Sequence, residues 1–204
     1  MSVETDETWT SDEYGRSHEG RVGVLLDDGT APRPVYFDSA SGSSGWEVRH
    51  WSVYDGAGTY QTRPKADVLR AECSCGWTGA LHAVDWTTAG ELPFHESGLP
   101  TAERCEEDWD THLRDVAATT IPLPAELEAF FQAVTAAIEK LAQDSPTAAL
   151  KAARTLELIA QRTAHWPAHD ARDHDPQRVA ADLGLSMDAT RGLLARFGGW
   201  YAHG

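Results

Sequence analysis

Short apolar runs separated by turn residues fill the chain after residue 20. Residues 22–26 and 35–37 flank a polar turn at residues 27–30, a pattern that predicts a β-hairpin. A further run at residues 46–54 is rich in Val, Trp and Tyr, and another at residues 66–73 alternates in polarity. Each of these runs ends in a turn. The pattern therefore predicts a small antiparallel β module in the first half of the chain.

The apolar spacing changes to three and four residues after Pro100, which predicts a helix that Thr101 can cap. Residues 119–124 contain two prolines and predict a linker. Residues 125–143 and 146–165 are rich in Ala and Leu and predict two long helices. We expect their apolar faces to complete a bundle core or, alternatively, to form a dimer interface. Residues 168–175 are polar and predict a loop.

Two short helices are predicted after this loop. Pro176 suits the first turn of a helix, Gly184 suits a turn that needs positive φ, and Ser186 can cap the second helix. Ala180 is small where the helices would cross, and Leu185 can fill the core behind the turn. These residues, followed by an apolar face, resemble the helix-turn-helix superfamily over about twenty residues.

This resemblance implies that the second helix enters the major groove of duplex DNA. The outward residues that would contact DNA are Ser186, Met187, Arg191 and Arg196. The sequence departs from the family pattern at Thr190 and at Gly192, which lies within the second helix. Asp188 would face phosphate, so a helical protein-interaction module is the alternative to DNA contact.

Two cysteines lie close together in the segment Cys73-Ser74-Cys75-Gly76-Trp77, and thiolates on such a turn can share one Zn²⁺. With the later helix that carries Trp109-x-x-His112, this segment resembles a zinc-ribbon-type module of uncharacterised actinobacterial proteins. The resemblance implies that Cys73, Cys75 and His112 are zinc ligands. The sequence does not assign the fourth ligand. We predict His82, and the alternatives are His95, Cys105 and Asp108.

The net charge of the chain indicates which classes of partner it can bind. Its 204 residues include 17 Lys and Arg and 32 Asp and Glu, for a net charge of −15. Residues 1–124 carry −13 (9 basic, 22 acidic) and residues 125–204 carry −2 (8 basic, 10 acidic). Such acidity disfavours nonspecific nucleic-acid binding by the whole chain. With no long apolar run, no secretory signal and three cysteines, we expect a cytoplasmic protein that does not enter membranes.

Motifs for catalysis are missing from the sequence. It contains no His-Glu-x-x-His, no zinc-deaminase pattern and no Gly-rich phosphate loop before a helix. A metal-dependent hydrolase would need an open position on the zinc and a base such as Glu72 or Glu91. We therefore expect structural zinc in a protein that is not an enzyme.

These observations predict an α+β fold, with a zinc-clipped antiparallel β module followed by a helical bundle that contains a helix-turn-helix. The expected organisation is a disordered acidic arm at 1–20, the β-rich module at 21–118, the linker at 119–124 and the helical module at 125–204. The predicted function is a transcriptional regulator that binds duplex DNA. The alternative is an acidic adaptor or antagonist that binds a basic protein partner.

Overall fold

The computed structural model describes residues 7–38, 45–58, 62–87 and 92–199. Within these ranges the fold is α+β, as predicted. The chain divides into two compact units, 1–118 and 119–204, and the division falls at the start of the predicted linker. None of the helices in the described ranges has both the length and the apolar character needed to cross a bilayer.

Antiparallel strands form the sheets of the first unit. They are β1 (Thr8–Trp9), β2 (Gly20–Leu25), β3 (Val35–Asp38), β4 (Gly45–Val48), β5 (Val68–Cys73) and β6 (His82–Ala83). The larger sheet has the order β1-β2-β5-β6, and β3 pairs with β4 in a second sheet. The register of β2 against β5 places Gly20 opposite Cys73, at the end of the sheet that carries the cysteine turn.

The hairpin predicted between residues 22–26 and 35–37 is wrong in its strand pairing. The turn does form, and Gly29 has a positive φ of 77°. However, β2 pairs with β5, which sets Val24 opposite Leu69 and brings two core residues together. Because this distant pairing buries apolar surface, it outweighs the closeness of the two segments along the chain.

The acidic arm expected to be disordered is folded from residue 7 onward; residues 1–6 lie outside the described residues. Strand β1 pairs with β2, and a 3₁₀ helix covers Gly15–His18. Trp9 packs against the core, and both Tyr14 and His18 are buried. The prediction is therefore wrong for residues 7–20, because these few ring side chains anchor an otherwise polar segment.

The core of the first unit lies between β5 and the second of two helices, α1 (Phe94–Ser97) and α2 (Leu99–Thr119). Along β5 alternate residues are buried, as expected for a strand with one face on the core. The buried residues of α2 recur at spacings of one, three and four; they are Thr101, Ala102, Cys105, Trp109 and His112. This spacing places His112 on the helix face that meets the sheet.

The second unit is helical. Its helices are α3 (Ala125–Asp144), α4 (Pro146–Thr163), α5 (His165–Ala171), α6 (Pro176–Leu183) and α7 (Met187–Gly198). The loop predicted at residues 168–175 is thus partly helical, because Pro167 lies in the first turn of α5, where its missing N–H is not needed. No residue of α3 is buried, so the expected bundle core does not close around this helix.

Helices α6 and α7 are joined by three residues, as the sequence predicts. The Asp175 carboxylate accepts hydrogen bonds from backbone N–H groups at the start of α6. Gly184 adopts a left-handed φ of 62°, and the Ser186 hydroxyl accepts a hydrogen bond from the backbone N–H of Ala189. The local signals in this segment are confirmed, and Thr190, which departs from the family pattern, is buried.

Candidate metal centre

Four side chains from three separate segments meet at one end of the larger sheet. They are His18, Cys73, Cys75 and His112, and one nitrogen or sulfur atom of each lies within 4.8 Å of the others. His18 Nδ1 is 3.2 Å from His112 Nε2 and 3.6 Å from Cys73 Sγ, and Cys75 Sγ is 3.4 Å from His112 Nε2.

These separations match the edges of a metal-ligand tetrahedron. A Zn²⁺ about 2.3 Å from each sulfur and about 2.0 Å from each nitrogen separates two nitrogens by about 3.3 Å. The same geometry separates sulfur from nitrogen by about 3.6 Å. The cluster can therefore hold a metal ion, and the set of two thiols and two imidazoles is typical of zinc.

The two cysteines are positioned by a tight turn that follows β5. Backbone hydrogen bonds join Cys73 N–H to Trp77 O and Gly76 N–H to Cys73 O, both at 2.9 Å. Gly76 has φ of 95°, a conformation that residues with a Cβ rarely adopt. The backbone N–H of Trp77 lies 3.5 Å from Cys75 Sγ, so the turn also offers a hydrogen bond to that sulfur.

His18 is held against this turn by Ser74, the residue between the cysteines. The Ser74 hydroxyl donates to Arg16 O at 2.8 Å and accepts from the backbone N–H of Glu19 at 2.9 Å. The Ser74 backbone N–H donates to Glu19 O at 2.8 Å. Because Arg16 and Glu19 lie on either side of His18, these bonds fix the imidazole beside the thiols.

His112 reaches the cluster from α2 and stacks on an aromatic ring. The imidazole lies parallel to the Trp77 indole, with ring centroids 4.3 Å apart and an interplanar angle of 5°. Since Trp77 follows directly after the cysteine turn, this stack connects the helix to the turn. The prediction brought together Trp77 and His112 as parts of one motif, and the structure shows the contact between them.

Burial controls the protonation of the cluster. His18, Cys73 and His112 are buried, whereas Cys75 is exposed. Burial, together with the neighbouring Cys75, raises the pKa of the Cys73 thiol to about 11. Burial and the adjacent His18 lower the pKa of His112. Neutral imidazoles are ready to coordinate a metal, and a bound cation stabilises the thiolate form of the cysteines.

The structure places His82 outside this cluster. Its Nε2 lies 2.8 Å from Asp108 Oδ2, which also accepts a hydrogen bond from the backbone N–H of Ala80. This pair ties β6 to α2. Cys105 is fully buried in the core, and His95 is exposed beside Glu96. None of the four candidates for the fourth ligand belongs to the group formed by Cys73, Cys75 and His112. The fourth member of that group is His18.

His18 was missed because it lies in the acidic segment, 55 residues before Cys73 along the chain. A local signal does exist there. Tyr14 and His18 are separated by four residues, and their rings meet edge-on with centroids 5.5 Å apart. An isolated aromatic and imidazole pair in a polar segment is a weak indication of burial, and the sequence shows no link from it to the cysteines.

Of the two candidate bases, Glu72 is held by two arginines. Glu72 accepts hydrogen bonds from Arg21 and Arg70, at 2.9 and 3.0 Å for the shortest contact of each. Burial opposes ionisation of Glu72, but the bonds from Arg70 and Arg21 outweigh it and lower the pKa of the carboxyl. Glu91 lies outside the described residues.

The four residues predicted to contact DNA lie at or on α7. Ser186 and Met187 are partly buried at its start. Arg191 and Arg196 are exposed, and each pairs with an acid: Arg191 with Asp188 at 2.7 Å, and Arg196 with Glu157 at 3.3 Å. The positive charge of this helix is therefore partly compensated within its own unit.

Comparison of the chain with models of protein families, with curated proteins and with solved structures finds no match.

Proposed function

We propose that the protein binds one structural Zn²⁺ through His18, Cys73, Cys75 and His112, and that it is a zinc-stabilised binding protein and not an enzyme. The observation that carries this proposal is the convergence of four donor atoms within 4.8 Å. Four protein donors complete a tetrahedral shell and leave no position for a reactive water. The metal then joins three distant segments, which is a structural role.

The first test is the zinc content of the full chain and of two histidine variants. We expect one Zn²⁺ per chain by native mass spectrometry, and loss of that zinc in His18→Ala. The matched control is His82→Ala, because His82 is a partly buried histidine of the same unit that bonds to Asp108. This control should retain one zinc ion.

Cobalt substitution gives a second readout of the same centre. The Co²⁺ form should show the intense visible bands of closed tetrahedral coordination with thiolate charge-transfer absorption. Zinc retention by His18→Ala with loss in His82→Ala would contradict the assignment. A cobalt spectrum that changes on addition of small anions would indicate an open position and would contradict the structural role.

For the partner we favour a basic protein. The segment that contains the metal centre carries a net charge of −13 within residues 1–124. A surface of this charge attracts a basic partner and repels phosphate. The pairing of Arg191 and Arg196 with carboxylates also supports a protein partner, because it reduces the charge available to DNA.

Contact with duplex DNA, and through it transcriptional regulation, is the second candidate function. It is favoured by the three-residue connection of α6 to α7, with Gly184 in the left-handed region and Ser186 as a cap. On this proposal Ser186, Met187, Arg191 and Arg196 face the DNA. Salt bridges at an exposed surface are weak, so phosphates could displace both acids.

Fluorescence anisotropy of duplex DNA, titrated with the full chain across a salt series, separates the two candidates. DNA contact predicts binding that weakens as salt rises, and a smaller salt slope for the Arg191→Ala/Arg196→Ala variant. Lys151→Ala removes an exposed charge from α4 and is the control. If no binding to DNA occurs at low salt, the proposal of DNA contact is wrong, and a basic protein is the one proposed partner that remains.

A further inference from the structure

Helix α3 is amphipathic, yet none of its residues is buried. Its apolar positions follow one another at spacings of four and three residues; they are Leu127, Phe131, Val134, Ile138 and Leu141. Phe130 lies next to this stripe. Leu127, Phe130 and Phe131 are 40%, 58% and 50% exposed. A heptad-like stripe of this kind is stable when another helix covers it.

The neighbouring helix α4 packs against α3 and also has exposed apolar residues. Leu156 and Ile159 of α4 are 40% and 41% exposed. Together with the α3 residues they present on the order of 500 Å² of apolar surface per chain. A stable interface buries about 800 Å² per partner, a little more than half of it apolar. The open face therefore has the size and composition of one protein–protein interface.

The α3 stripe is nearly symmetric about Val134. Leu127 and Leu141 lie seven residues before and after Val134, and Phe131 and Ile138 lie three before and four after. Two copies of α3 packed antiparallel, with Val134 near the two-fold axis, would place each of these residues against an apolar residue of the second copy. A two-fold interface requires a surface that complements itself in this way.

We propose that the α3–α4 face binds a second copy of this chain, so that the protein is a homodimer whose two helix pairs form a four-helix bundle. The size of the apolar face and the near-symmetric spacing of the α3 stripe both fit a second copy. None of the four proposed zinc ligands belongs to the α3–α4 face, so the dimer can fail while the zinc proposal holds, and the reverse.

Sedimentation of the zinc-loaded full chain over a range of concentrations tests the dimer. We expect a dimer for the wild type, and a dissociation constant raised by about 100-fold in Phe131→Ala, since the change occurs twice in the interface.

Leu150→Ala is the control, because Leu150 is 72% exposed and lies on a different face of α4 from Leu156 and Ile159. It should leave the dissociation constant unchanged. Circular dichroism of every variant checks that the helices remain. A monomer at all concentrations would overturn the proposal and indicate that another part of the chain or a different protein covers this face. An unchanged dissociation constant in Phe131→Ala would overturn the role of the α3 stripe in the interface.

Discussion

Ser74 shows how a residue outside the cluster of four possible metal donors can hold that cluster together. Its hydroxyl bonds on both sides of His18, to Arg16 O and to the backbone N–H of Glu19. For one metal to bind both His18 and Cys73, two segments that lie far apart in the unfolded chain must come together. Groups that hold ligands in place before the metal binds reduce the entropy lost on binding.

We predict that Ser74→Ala weakens zinc binding by about 10-fold to 100-fold while one zinc ion per chain is still bound. The Ser74 backbone bond to Glu19 O does not depend on the side chain, so the turn itself should persist. Competition with a chromogenic chelator measures the affinity. Ser97→Ala is the control, because that hydroxyl bonds only locally to Pro93 O. Equal affinities for both variants would show that Ser74 does not position His18.

At the scale of elements, the segment that contains α6 and α7 has two glycines with opposite roles. Gly184 has a positive φ, which costs a residue with a Cβ about 1–2 kcal/mol. Gly192 lies inside α7, and a Cβ placed on it would meet no atom within 4 Å. Alanine there would gain about 1 kcal/mol in helix propensity.

Accordingly, Gly192→Ala should raise the free energy of unfolding by about 1 kcal/mol, and Gly184→Ala should lower it by about 1–2 kcal/mol. Urea denaturation followed by circular dichroism at a wavelength that reports helix measures both changes. The two variants are matched controls, since each adds one methyl group to the same segment. Stabilisation by Gly184→Ala would contradict the left-handed turn.

The helices were more accessible to sequence analysis than the strand pairings. Helix signals such as Pro176, Gly184 and Ser186 act within a few residues, so the bounds of α3, α6 and α7 follow from local chemistry. Strand partners depend on surfaces far apart along the chain. The pairing of β2 with β5 joins segments more than forty residues apart, and the local turn after β2 gave no indication of it.

For the whole molecule, two units with different charge and chemistry make up the chain. The first carries nearly all of the net charge and the cluster of four possible metal donors; the second is nearly neutral and has exposed apolar residues on α3 and α4. Because the two features draw on different forces, they suit different partners. Charge would steer a basic protein to the first unit, whereas apolar surface would hold a second copy of the chain on the second.

The sequence by itself determined the α+β class and most helices, and it singled out three of the four residues that cluster as possible metal donors. Each of these depends on periodicity, on caps and breakers, or on a motif of adjacent residues. Only the tertiary structure decided that β2 pairs with β5, that His18 joins the cluster in place of His82, and that no residue of α3 is buried. These outcomes depend on which distant surfaces pack together, and residue spacing does not encode that choice.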